Sequence, residues 1–191
     1  LNIIPASTTK LFAISFNNQQ KIYKKKNKIK QNRNEFWNWE KYIKSIEKIS
    51  KTNYYEFLNE IDCEAGIFNT SNSLSINNTY TYFNTKESIR ATSLLQGMII
   101  STSEYKEFMI NKINDSKLTS NLFGDLFKAN TPFFTVIKEY FVFGNSTESL
   151  EYIIDNYTTK NSLSNNKSFK NLSSYITNSS NIFFYLNPGK T

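Results

Sequence analysis

The chain has no histidine among its 191 residues and a single cysteine, Cys63. Without histidine there is no Ser-His-Asp or Cys-His relay and no histidine-ligated zinc. One thiol closes no internal disulfide and builds no cysteine cage around a metal. Cys63, beside an expected strand start, reads as a small buried hydrophobe. Glycine and proline are scarce, at five and three, which argues against a low-complexity or disordered chain. No apolar run approaches the roughly 20 residues that a membrane-spanning helix needs. No secretory leader is legible either, but the chain opens on Leu1 rather than Met, as a piece of a longer exported protein would.

Aromatic residues are what the chain has in quantity: 16 Phe and 12 Tyr. At this length they can fill a sizeable core, and residues 1–191 are expected to form one domain. The formal charge is +7, from 23 basic and 16 acidic residues. Seven of the basic residues fall between Lys21 and Arg33, a run with no acid, and removing them leaves 16 against 16. The positive balance therefore belongs to one segment. Within it Lys24, Lys25, Lys26, Lys28, Lys30 and Arg33, interleaved with Ile22, Tyr23 and Ile29, are candidates to contact an anionic polymer or lipid headgroups. A solvated loop is the plainer reading. No recognition-helix or RNA-binding motif accompanies the run, so nucleic acid is not the expected partner.

Phe133 to Tyr157 organises the rest. Phe133 to Ile137 and Tyr140 to Phe143 are aromatic and β-branched, as strands favour. Only Lys138-Glu139 separates them, so they read as a hairpin. Gly144 ends the second strand. Asn145 is positioned as a helix N-cap, with Glu148 three residues on to complete a capping box. Leu150, Ile153, Ile154 and Tyr157 then form one apolar helical stripe. The capped junction could hold an anion, but it lacks phosphate-loop glycines and lysine.

Elsewhere Leu11 to Phe16 alternates as a strand. Asn34 caps a helix from Glu35 to about Ile49, with Phe36, Trp39, Ile43 and Ile46 inward. Trp37 cannot share that face and is placed at its rim. Glu40–Lys44 and Glu47–Lys51 are favourable pairs on the wet side. Tyr54 to Ile61 reads as a short helix, Glu64 to Asn69 and Thr79 to Phe83 as paired strands around a polar turn, and Lys86 to Met98 as a helix with Ile89, Leu94 and Leu95 apolar. Tyr105 to Ile113 reads as one strand, Leu118 to Phe127 as one helix, Phe169 to Ile176 as another, and Ile182 to Leu186 as a last strand. The expected class is α+β: a mainly antiparallel sheet with helices packed on one face. A strand pair followed by a helix occurs at Glu64 to Met98 and again at Phe133 to Tyr157, which allows two similar half-domains.

One motif carries possible chemistry. Ser7-Thr8-Thr9-Lys10 has the S-x-x-K spacing of penicillin-binding proteins, where the serine attacks a carbonyl and the lysine takes its proton. That arrangement needs a helix starting at the serine, whereas Phe12 to Phe16 alternates like a strand. Ser75-Ile76-Asn77 is an S-x-N triplet of a kind this composition makes common, and Lys190-Thr191 lacks the glycine of K-T-G. Asp62, Glu64 and Asp125 show no metal-ligand spacing, and no cofactor is expected.

The second half resembles a bacterial envelope family, the domain of unknown function numbered 3352. The resemblance rests on Leu122-Phe123-Gly124-Asp125-Leu126-Phe127, on Tyr140-Phe141-Val142-Phe143-Gly144-Asn145-Ser146 with Glu148-Ser149-Leu150, and on Asn181-Ile182-Phe183-Phe184-Tyr185-Leu186-Asn187-Pro188. The opening Ile4-Pro5-Ala6-Ser7-Thr8 also looks like the family's entry to a first strand. The resemblance implies an exported, non-enzymatic domain, part of a longer lipoprotein, with another envelope protein as partner. It brings no functional residues. The leading expectation is an extracytoplasmic scaffold or interaction domain; the alternatives are a serine acyl-enzyme using Ser7 and Lys10, and anionic-polymer binding by the basic segment.

Overall fold

The computed structural model describes residues 1–16, 28, 31–32, 36–51, 53–72, 75–173 and 181–187. Eight strands lie in these residues: β1 (Thr8–Ser15), β2 (Ile61–Asn72), β3 (Ser75–Thr85), β4 (Ile99–Tyr105), β5 (Phe108–Ile113), β6 (Phe133–Ile137), β7 (Tyr140–Gly144) and β8 (Ile182–Leu186). They form one sheet in the order β4-β5-β6-β7-β3-β2-β1-β8, and every pairing is antiparallel. Six helices bounded within the described residues accompany it: α1 (Phe36–Ser50), α2 (Tyr54–Glu60), α3 (Ser88–Leu95), α4 (Leu118–Phe123), α5 (Thr147–Thr158) and α6 (Lys167–Ser173). The α+β class is as expected.

The expected layering differs. Strand side chains alternate between faces, and here both faces are apolar. Phe83, Phe141, Phe143 and Phe134 join Trp39, Ile43 and Ile46 of α1, Phe57 of α2 and Leu95 of α3 in one core. Residues of opposite parity on the same strands, Tyr82, Val142 and Ile137, join Leu150, Ile153 and Ile154 of α5 and Phe169 of α6 in a second. Helices therefore cover both faces rather than one. The sequence held the signal: Tyr140 to Phe143 is apolar without alternation, the pattern of a strand buried on both sides. The two hairpin-plus-helix units meet directly, β3 against β7, and their helices lie on opposite faces. The echo in the sequence is local rather than a repeat of whole half-domains.

The first core is an aromatic stack. Phe83 lies parallel to Phe141 at 5.4 Å and 7°, and Phe134 stacks on Phe141 at 5.4 Å. Such pairs contribute about 0.5–1.5 kcal/mol each beyond their buried area.

Three local readings are corrected. Tyr105 to Ile113 is not one strand but the end of the β4–β5 hairpin, which turns at Lys106-Glu107 with Lys106 at φ 54°. Leu118 to Phe127 is broken at Gly124, whose φ of 100° ends α4 before a short 3-10 turn over Asp125–Phe127. In α3 the inward residues are Ala91 and Leu95, one turn apart, and Ile89 is 81% exposed. α1 behaves as its stripe predicts: Trp39, Ile43 and Ile46 are buried, Trp37 is exposed, and Lys44 pairs with Glu40 at 3.5 Å. Glu47 accepts a hydrogen bond from the Tyr54 N–H at 3.1 Å, which ties α1 to α2.

Candidate functional site

Ser7 and Lys10 lie on opposite sides of the sheet. Ser7 sits in the turn before β1, and its Oγ bonds the Tyr152 hydroxyl of α5 at 2.5 Å. Its carbonyl accepts from the Ser71 N–H at 3.1 Å. Lys10 is extended in β1, exposed, and opposite Leu186. It alternates with Phe12 and Ile14, which pack on the face away from α5. Ser7 faces α5 while Lys10 projects to the opposite face, so the lysine is directed away from the hydroxyl. The proton relay of an S-x-x-K enzyme is not formed there. Ser75-Ile76-Asn77 lies in β3, and Lys190-Thr191 lies outside the described residues. So do Lys24, Lys25, Lys26, Lys30 and Arg33 of the basic segment; Lys28 is exposed and helical.

The N-terminus of α5 is capped one residue later than expected. Ser146, not Asn145, is the N-cap: its Oγ accepts from the Ser149 N–H, and Ser149 Oγ accepts from the Ser146 N–H, each at 3.2 Å. Glu148 lies in the first turn, where backbone hydrogen bonding and the Ser146 hydroxyl hold its carboxyl below the usual range. The chain's own carboxylate thus takes the position an anion would seek.

A polar cluster gathers where β2, β3 and β7 meet. Tyr82 donates to Glu64 Oε1 at 2.6 Å, and Asn84 Oδ1 accepts from the Glu64 N–H at 2.8 Å. Asn84 Nδ2 donates to Asp62 Oδ2 at 3.3 Å. Burial, then Glu64, Cys63 and Asp62, push the Tyr140 hydroxyl up to about 12. Cys63 is exposed rather than buried. β2 is bulged between Ile61 and Ala65, and such an insertion locally redirects side chains. Among the described residues no group of three or more acidic or cysteine side chains is placed to hold a metal.

Among the described residues β4 and β8 are the two edges of the sheet, and they differ in kind. β4 reads Ile-Ile-Ser-Thr-Ser-Glu-Tyr, with its central residues exposed and polar. Short polar side chains and a charge blunt an edge against further pairing. β8 reads Ile-Phe-Phe-Tyr-Leu. Phe183 and Tyr185 turn inward onto Phe169 of α6, with ring centroids at 6.4 and 5.5 Å. Ile182, Phe184 and Leu186 point to the other face and are 64%, 66% and 48% exposed. The Ser15 N–H donates to the Asn181 carbonyl at 2.9 Å, and the Asn187 N–H to the Thr9 carbonyl at 2.7 Å. These bonds set the phase of the ladder. In an antiparallel pair alternate residues turn both backbone groups to the neighbour. The odd-numbered residues of β8 therefore bond β1, while the N–H and C=O of Ile182, Phe184 and Leu186 face the open edge.

Residues 67–191 match the model of a family described as proteins of unknown function, DUF3352. The chain belongs to the DUF3352 family. No curated protein and no solved structure matches it. The DUF3352 match includes β8 but begins within β2, after β1, the strand that joins β8 to the rest of the sheet.

The edge went unnoticed in the sequence as a site, although Ile182 to Leu186 was recognised as a strand. Its signal was available: five consecutive apolar residues at the end of the described chain, with no charge to guard them.

Proposed function

We propose that this DUF3352 chain is a non-catalytic interaction domain that takes an extended segment of a partner protein as a further strand on β8. The observation that carries the reading is the apolar edge of the described sheet: three exposed apolar side chains on the same residues whose backbone groups face outward. An added strand would satisfy that ladder, and alternate pockets along it would select side chains. Contiguous exposed apolar surface of this kind marks interaction sites.

A selection of random peptides on the immobilised protein tests this. Enriched sequences should alternate apolar residues and lose binding to the Phe184→Lys variant. No enrichment, or binding indifferent to that substitution, sinks the reading. The non-catalytic part is tested by a fluorescent penicillin, since a covalent adduct at Ser7 would remove it. The family resemblance supports action outside the cytoplasm, next to another envelope protein. Among the described residues no helix is long and apolar enough to cross a membrane. Fractionation of cells making the full-length gene product tests the location, and recovery in the cytosol would overturn it.

A further inference from the structure

We infer that the segment β8 receives is acidic: an extended stretch alternating apolar residues with Asp or Glu. The inference rests on the strand-addition reading and names the partner's chemistry.

Among the described residues, the strand register places one cation beside the apolar row of β8. Lys10, exposed, stands opposite Leu186 and projects on the face of Ile182, Phe184 and Leu186. Glu64 is the register partner of Ser15, near the Asn181 end, but its carboxylate already accepts from Tyr82 at 2.6 Å. Lys10, an exposed cation on the face of the apolar row, favours a partner of opposite sign, because complementary charge steers encounter and rejects like-charged strands.

The same charge disfavours a second copy of the chain. Two β8 strands laid edge to edge would each bring Lys10 close to the seam, on molecules of formal charge +7. Cationic side chains at an edge are a recognised guard against self-pairing. An anionic lipid surface would match the charge and the apolar row. It would leave the outward N–H and C=O groups of Ile182, Phe184 and Leu186 without partners, which a hydrocarbon phase does not tolerate.

The test uses the whole chain and two synthetic peptides with the same alternating valines, one carrying glutamate between them and the other lysine. Binding is read by fluorescence anisotropy at low and high salt. The acidic peptide should bind about ten-fold more tightly, with the preference shrinking in salt. Lys10→Glu should narrow it, and Phe184→Lys or Phe184→Ser should abolish binding of both peptides while circular dichroism stays unchanged. Hydrogen exchange at the Ile182, Phe184 and Leu186 amides should slow when peptide is added. Equal binding of the two peptides overturns the acidic preference and leaves strand addition standing. Binding of neither, or binding that survives both Phe184 variants, overturns the two together. If the free protein dimerises with those amides already protected, a second copy occupies the edge. If it is monomeric with them protected, its own residues do. If phosphatidylserine vesicles bind and the acidic peptide does not, the surface is a lipid one. Each of these three results overturns the acidic partner.

Discussion

Gly66 is the residue on which the polar cluster depends. A Cβ built there would run into the Tyr82 ring, which lies across β2 to bring its hydroxyl to Glu64 at 2.6 Å. The ring is also held by Phe68 and Tyr140, each with centroids 6.1 Å away, so it has little room to retreat. Gly66→Ala should therefore cost about 1–3 kcal/mol in urea denaturation, the usual range for overpacking, and Tyr82→Leu in the same chain should recover part of it. Nothing along β2 announces this, because the demand on Gly66 comes from a side chain on the next strand. Tyr140 supplies a second test. Its hydroxyl is pushed up to about 12, first by burial and then by Glu64, against about 10 in an unfolded chain. The folded state holds that proton more tightly, so the stabilisation is fully present below pH 10 and is lost as pH rises toward 12. Half-burial makes the loss shallow. Spectrophotometric titration of the parent minus Tyr140→Phe should isolate this tyrosine from Tyr42, Tyr80 and Tyr82, which burial also holds up, and Glu64→Gln should move it down; an unmoved difference would break the assignment.

At the scale of the element, α5 tests how finely a cap can be read from sequence. The strand-turn-strand-helix order of Phe133 to Tyr157 was legible because each boundary had local chemistry. The cap was misplaced by one residue because Asn145, Ser146 and Thr147 are all competent caps and only the path of the chain out of β7 chooses. Ser146→Ala should cost about 1 kcal/mol, whereas Asn145→Ala, at an exposed position, should stay within about 0.5 kcal/mol; equal effects in thermal melts would return the cap to Asn145. The β4–β5 hairpin was missed for a related reason. Its turn carries Lys106-Glu107, with no glycine or asparagine to mark it, and the Lys138-Glu139 turn of the β6–β7 hairpin has the same chemistry. Both lysines sit in the left-handed region, at φ 54° and 57°, a conformation that costs a non-glycine residue about 1–2 kcal/mol. Lys138→Gly should therefore stabilise the protein by up to about 1 kcal/mol after glycine's own entropy is charged. Lys106→Gly should gain less, because it also loses the ion pair with Asp155 at 2.6 Å. Chemical denaturation of the two variants decides between these outcomes.

At the scale of the molecule, the sheet ties together parts of the chain that the family match separates. The matched residues begin at Ile67, yet three elements before that point complete the structure around them. β1 stands between β2 and β8 and is the only described strand that β8 pairs with. α1 and α2 supply Trp39, Ile43, Ile46, Phe57 and Leu58 to the core above Phe83 and Phe141. Composition and apolar patterning revealed the α+β class, but an insertion of β1 between β2 and β8 leaves no local trace, since strand order is set by pairings distant in sequence. A fragment of residues 67–191 should therefore not reach the native state. Without β1 the inward backbone groups of β8 lose their partners, and without α1 and α2 one face of the aromatic stack is open to water. The fragment should keep far-ultraviolet circular dichroism, lose the near-ultraviolet signal of its packed rings, and bind a hydrophobic dye, as collapsed states with unfixed packing do. Adding residues 1–66 as a separate chain should restore the near-ultraviolet signal, because it returns both the missing strand and the missing helices. A fragment that folds cooperatively by itself would show that β8 can find another neighbour, and the edge described here would then be one of two arrangements open to the family.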